Sequence, residues 1–200
     1  DQPVFVVNSE LEAIACYGVR QPDTHKLRWW ESAGTCHVSQ QSRAARQLMA
    51  DRDGLITQTD DQGINAIPIG PLYDSAFYHM HHWLSAEVDP PIQPRIDFEG
   101  TPASIMRDED GIAKGGIRLP QVEIPLAVNS AIPLKPDIFA YLGGSCHPFT
   151  SDQISARYGD RLSFLREFES AAKAAVNEGV LRSREISRLT KEADEIAKFL

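Results

Sequence analysis

The sequence has only three cysteines, Cys16, Cys36 and Cys146, and no two of them stand at C-x-x-C spacing. A disulfide framework and a closely spaced thiolate site are therefore excluded, and the cysteines assign no compartment. No Lys/Arg cluster is present, and 20 basic residues against 28 acidic ones leave a formal net charge of −8. That sign opposes binding to a phosphate backbone, so nucleic acid is set aside as a partner. No apolar run approaches the roughly 18 residues that a membrane span requires. Internal repeats, low-complexity tracts and a charged-then-apolar leader are also missing.

What is present is the composition of a globular domain, 42% hydrophobic and 24% charged over 200 residues, enough for one real core. The chain opens without methionine and within two residues enters "PVFVV". A protein rarely begins inside a buried strand, so the chain is expected to be the C-terminal part of a longer protein, and its localisation stays open. "PVFVV" itself reads as a strand buried on both faces, as in a parallel sheet. "KLRWWESAG" reads as a second strand ending at Gly34, separated from the first by a connection long enough for a crossover. The spacing predicts a helix over "SQQSRAARQLMADRDG", whose few apolar residues are Leu48 and Met49. A stronger one follows over "PLYDSAFYHMHHWLSAE", with Phe77, Met80 or His81, and Leu84 on one face. A polar loop should join them.

Further on, "DEDG" between "ASIM" and "IAKGGI" predicts a β-hairpin turn. "TSDQ" places Thr150 and Gln153 as a capping box, and Gly159 ends that short helix. Two longer helices follow, one opened by Asp160 with Leu162, Leu165, Phe168, Ala172 and Val176 as its stripe and closed by Gly179, the other with Ile186, Leu189, Ala193 and Ile196. The fold class is α/β. Residues 1–94 form the core part, 95–142 a hairpin and extended segment, and 143–200 the C-terminal helices of the same domain.

Chemistry gathers after the first two strands. "NSELEA" puts Glu10 and Glu12 just beyond the first, and "ESAGTCHVS" puts His37 on a small flexible turn beyond the second. A carboxylate followed by a histidine, each past a parallel strand, is the last part of the Ser…Asp/Glu…His order. The carboxylate would fix the imidazole tautomer, and the other ring nitrogen would take a proton. A short loop after the strand favours Glu12 as the orienting acid, with Glu10 the alternative; Asp23 reads as a turn residue.

Taken together, "RQPDT", "WESAGTCHVS", "GGIRLPQVEIPLA" and "GGSCHPF" resemble the C-terminal half of a group of bacterial α/β-hydrolase-domain proteins. The resemblance covers nearly the whole chain and implies an α/β-hydrolase fold and serine-hydrolase activity on an ester or amide, with His37 as base and Glu12 as acid. G-x-S-x-G does not occur, and "GGSCH" makes Ser145 a poor nucleophile because His147 and Pro148 follow it. The nucleophile is therefore expected upstream of this chain, which alone would be inactive. A non-catalytic hydrolase-like scaffold that binds a ligand or partner is the alternative. No cofactor is expected. Nor is a metal, since "YHMHHW" splits its histidines between helix faces and "DEDG" lacks the alternating ligands of a calcium loop. Cys36 reads as packing. Trp29, Trp30 and Gly115–Arg118 read as core or sheet-edge residues beside the site, and Arg118 as the partner of a structural acid. The residues do not give the oligomeric state.

Overall fold

The computed structural model describes residues 2–56, 63–133 and 142–199. The middle of the loop expected after residue 54 and the end of the extended segment, at 134–141, lie outside the described residues. Strand β1 (Val4–Ser9) and strand β2 (Leu27–Ser32) pair in parallel, in register from Val4 opposite Leu27 to Ser9 opposite Ser32. The crossover between them holds helix α1 (Glu10–Cys16) and a 3-10 turn at Tyr17–Val19. Alternation along the ladder sends Phe5, Val7 and Trp30 to one face and Val6, Trp29 and Glu31 to the other.

The expectation that β1 is buried on both faces needs correction. Val4 is 54% exposed and Phe5 to Val7 are half-buried, because β2 alone pairs with this strand among the described residues. Only its end, Asn8 and Ser9, is buried.

Helix α2 (Gln40–Asp53) is capped by Ser39, whose hydroxyl accepts from the Ser42 amide, and ends at Gly54 in the left-handed conformation. Helix α3 (Gly70–Ala86) covers the Phe5–Trp30 face, but not with the expected stripe. Phe77 is 74% and Leu84 52% exposed, while Leu72, Ala76 and Trp83 are buried. The rotation has a physical cause. His79 and Ser75 both donate to the Gly179 carbonyl, at 2.8 and 2.6 Å, and the Trp83 and Trp30 rings both meet Phe5 edge-on. Those polar anchors and the small Ala76 fix which face turns inward.

The hairpin expected at "DEDG" is present within a longer meander. Strands β3 (Phe98–Glu99) and β4 (Ser104–Ile105) pair antiparallel, and a second reversal at Asp108–Gly111 brings Arg107 opposite Ala113. Asp108 Oδ1 holds that turn by accepting from the Asp110 and Ile112 amides at 3.1 and 2.9 Å. The chain then docks on β2, where the Ile117 amide donates to the Glu31 carbonyl at 2.7 Å. Gly116 makes this approach possible. It sits at φ +69°, and an added Cβ would stand 2.7 Å from Ile96 and 3.0 Å from the Glu31 carbonyl oxygen.

A four-residue helix α4 (Pro120–Glu123) leads to strand β5 (Ala127–Ser130), which pairs antiparallel with strand β6 (Ser145–Pro148). The tail, read from sequence as helical, thus begins with a strand. Helices α5 (Ser151–Tyr158), α6 (Arg161–Asn177) and α7 (Glu185–Ile196) follow. The Thr150/Gln153 capping box, the Asp160 cap and the Gly159 stop all form. In α6 the buried stripe is Phe164, Phe168, Ala172 and Ala175, one step round from the expected one, and Leu162 faces solvent. One hydrophobic cluster joins Trp30, Leu72, Ile96, Leu119, Phe164 and Leu189, so the chain's two ends share a core.

Candidate functional site

At the carboxyl end of β1 no loop intervenes before α1. Ser9 closes the strand and caps the helix in one step: its hydroxyl accepts from the Leu11 amide at 3.2 Å, and Glu12 Oε2 reaches back to the Ser9 amide at 3.2 Å. The Ser9 hydroxyl also donates to Glu12 Oε2. This reciprocal capping box satisfies amides that the first helical turn leaves unpaired. The expected loop is absent because Ser-x-x-Glu starts a helix at once, a signal legible in "SELE".

At the end of β2, Gly34 turns the chain in the left-handed region at φ +68°. Beyond it, the Thr35 hydroxyl donates to the Ser32 carbonyl at 2.9 Å, and the Val38 amide donates to the Leu142 carbonyl at 2.9 Å. The turn so held presents His37. Its Nδ1 lies 2.7 Å from Glu12 Oε1. An ionised carboxylate only accepts, so the proton sits on Nδ1 and the Nε2 lone pair points away from Glu12. His37 is 52% and Glu12 32% exposed, and Nε2 has no hydrogen-bond partner among the described residues. Tyr73, at the start of α3, has its hydroxyl pKa raised, first by burial and then by the Glu12 charge.

Glu10 is placed quite differently. It is fully buried, and it accepts from the Gly34 amide at 2.7 Å, the Ala131 amide at 3.2 Å, the Ser130 hydroxyl at 3.3 Å and the Arg107 guanidinium. Its oxygens are occupied in tying the end of β1 to the His37 turn, to β5 and to the meander. Asp23 likewise accepts from the Trp29 amide at 2.8 Å and from Arg95 at 2.9 Å. A third acid, Glu31, is fully buried and takes bonds from Arg20 Nε at 2.7 Å, Trp29 Nε1 at 2.9 Å and the Ile96 amide at 3.0 Å. Sequence reading missed Ser9, Arg107 and Arg20. The capping pattern could have found the first; the other two pair across the chain and leave no local trace.

The remaining sequence candidates are engaged elsewhere. Cys36 is buried, its thiol is pushed up to about 12 chiefly by desolvation, and its Sγ donates to the Val38 and Gly143 carbonyls at 3.2 and 3.3 Å. Ser145 is buried opposite Ser130 in the β5–β6 ladder. Arg118 pairs with Glu123 at 2.6 Å, and Trp30 Nε1 donates to the Pro91 carbonyl at 2.9 Å. His79 is held at Gly179, and no group of three His, Cys, Asp or Glu side chains that could hold a metal occurs among the described residues. No described helix is long and apolar enough to cross a membrane.

A cavity of about 510 Å³ opens between α4, α6, α7 and the β5–β6 pair, walled by Ile67, Leu126, Phe164, Phe168 and Leu189. Neither Glu12 nor His37 lines it.

Among known families, the model described as "Alpha/beta hydrolase domain" matches residues 1–191. No curated protein and no solved structure matches the chain.

Proposed function

The chain belongs to the alpha/beta hydrolase domain family, and from that premise we propose that it supplies the acid and the base of a serine hydrolase acting on esters or amides. The observation that carries the reading is the 2.7 Å contact of His37 Nδ1 with Glu12 Oε1 at the carboxyl ends of two adjacent parallel strands, where catalytic groups gather in open α/β sheets. Glu12 is the acid rather than Glu10, because Glu10 is buried and its oxygens are filled by Gly34, Arg107, Ser130 and Ala131.

The serine comes from a segment preceding this chain, since G-x-S-x-G is absent from the 200 residues. The serine Oγ attacks the substrate carbonyl carbon while its proton passes to His37 Nε2, and Glu12 stabilises the imidazolium so formed. Collapse of the tetrahedral intermediate breaks the bond to the alkoxide or amine, and His37 returns the proton to that leaving group. A water molecule, deprotonated by the same Nε2, then attacks the acyl-enzyme carbonyl and releases the acid and the free serine. Glu12 keeps its charge throughout; its Oε2 is fixed by Ser9, leaving Oε1 for His37.

Labelling of the full-length protein with a fluorophosphonate probe tests this. Labelling that falls at least about a hundredfold with His37→Ala and with Glu12→Gln is the expected result. A folded wild-type protein that takes no label would instead support a hydrolase-like scaffold with a binding role.

A further inference from the structure

One buried residue outside the Glu12–His37 pair reaches both ends of the segment that carries the base. Asn65, in the stretch leading into α3, is wholly withdrawn from solvent. Its Nδ2 donates to the Gly34 carbonyl at 2.8 Å and to the Ser130 carbonyl at 3.3 Å, and its Oδ1 accepts from the Ile67 amide at 2.9 Å. Two carbonyls on one side and an amide on the other permit only this orientation of the carboxamide. The main chain is used as fully: the Asn65 carbonyl accepts from the Gln40 amide at 2.9 Å, and the Asn65 amide donates to the Gly143 carbonyl at 3.0 Å. Gly34 and Gln40 bound the stretch in which His37 stands, so one residue pins that stretch before and after the imidazole.

Gly34 is where such a constraint matters. It stands at φ +68°, and a glycine lets the peptide planes on either side of it swing over a wide range. Glu10 Oε2 accepts from its amide at 2.7 Å and fixes the plane before it, while Asn65 Nδ2 fixes the plane after it. That second plane leads through Thr35 and Cys36 to His37. The imidazole is 52% exposed, and Glu12 Oε1 is its hydrogen-bond partner among the described residues. A ring held by one bond depends for its aim on the backbone beneath it, and small misplacements of a reacting group are expensive in rate.

We propose that Asn65 is a positioning residue for His37, its carboxamide holding the Gly34–Thr35 peptide so that the turn delivers Nδ1 to Glu12. The role rests on the reading of His37 as the general base.

The test uses the full-length protein labelled with 15N-histidine. At mildly alkaline pH the His37 ring nitrogens, assigned by their loss in His37→Ala, report the tautomer, and the Nδ1–H form is expected in the wild type because Glu12 accepts from that nitrogen. Asn65→Ser keeps a hydroxyl for the Ile67 amide two residues on but is too short to reach Gly34. The ratio of Nδ1–H to Nε2–H should fall about tenfold, and kcat for ester hydrolysis should fall by about tenfold or more with KM little changed. Asn65→Asp, which sets an oxygen against the Gly34 and Ser130 carbonyls, should do the same and serves if the serine variant fails to fold. Leu189→Ala truncates a buried side chain on α7 and controls for lost stability alone, so it should keep the wild-type tautomer and kcat. The proposal is overturned if wild-type His37 is not held as Nδ1–H, or if a folded Asn65 variant keeps the wild-type tautomer ratio or, in an active enzyme, its kcat. It is equally overturned if Leu189→Ala shifts the ratio as far. The tautomer is read without substrate, so the two readings fail separately. A wild type that holds the tautomer, loses it with the Asn65 variants and takes no fluorophosphonate label sinks the serine-hydrolase reading and leaves Asn65 as the residue that aligns His37 with Glu12.

Discussion

Glu10 and Glu12 are two residues apart and chemically alike, yet they should respond oppositely to the same change. Replacing Glu12 by Gln preserves its size and still lets an amide oxygen accept from the Ser9 amide, so the cap of α1 survives and Tm should move little. The negative charge 2.7 Å from His37 Nδ1 is lost, and with it the fixed tautomer and the stabilised imidazolium. Loss of the orienting acid in such a constellation costs on the order of 10⁴ in kcat. Glu10→Gln leaves His37 and Glu12 in place but breaks an ion pair in which Glu10 is fully buried and Arg107 is 19% exposed. Removing one partner of a buried pair costs about 3 to 5 kcal/mol, and the partly exposed Arg107 argues for the lower end. At about 2 to 4 °C per kcal/mol for 150 to 250 residues, and less for a longer chain, Tm of the full-length protein should drop by up to roughly 6 to 12 °C. Differential scanning fluorimetry and ester turnover, measured on the full-length protein well below the lower Tm, separate the two effects. The assignment fails if Glu10→Gln abolishes turnover in folded protein while Glu12→Gln leaves it intact.

Three further outcomes follow from other sites. Gly116→Ala forces a Cβ to within 2.7 Å of Ile96 at φ +69°, so it should lower stability by about 1 to 3 kcal/mol, read from the shift of the urea midpoint; an unchanged midpoint would mean that the meander does not dock on β2 as described. Cys36, its thiol pushed up to about 12 and buried, should resist a thiol-exchange reagent at pH 8 until the protein is unfolded, with labelled sites mapped by mass spectrometry; prompt native labelling at Cys36 refutes the packing described. His79 has its pKa lowered, chiefly by burial, so the folded state prefers the neutral ring. Its contribution is present above the unfolded value of about 6.5 and is lost as pH falls through that value towards the lower folded one. His79→Gln, which can still donate to Gly179, should flatten that part of the stability profile, and an equally steep profile would place the titration elsewhere.

How far the sequence discloses this molecule depends on the range of the interaction. Caps and stops are local, and Thr150 with Gln153, Asp160 and Gly159 all act where the pattern puts them. The carboxylate-then-histidine order is also local in kind, because each group simply follows a strand, and the structure brings Glu12 and His37 together. The core face of α3 was not legible. Phe77, Met80 and Leu84 make as good an apolar stripe as Leu72, Ala76 and Trp83, and the choice between them is made by the Gly179 carbonyl about a hundred residues away. Strand β6 escaped notice because "SCHP" shows no alternation and ends in proline; its ladder comes from the β5 partner. The buried acids were opaque for the same reason: nothing near Glu10 announces Arg107, and nothing near Glu31 announces the Ile96 amide.

The division of labour between the two acids follows from where α1 begins. Residues two apart on a helix point to nearly opposite sides, so once Ser9 starts the helix at Glu10, Glu10 and Glu12 cannot both face His37. Had the chain left β1 through a flexible loop, either carboxylate could have reached the imidazole, and the site would be ambiguous. The Ser9 amide and hydroxyl both bond Glu12 Oε2, so in the proposed site Ser9 would position the acid as well as cap the helix. Ser9→Ala should cost about 1 kcal/mol of stability through the cap alone. If the hydroxyl also positions Glu12, kcat on the full-length protein should fall about tenfold with KM little changed, and Ser9→Thr should restore it. A variant that loses the expected stability but keeps the wild-type kcat would show that the Ser9 amide is sufficient to hold the acid.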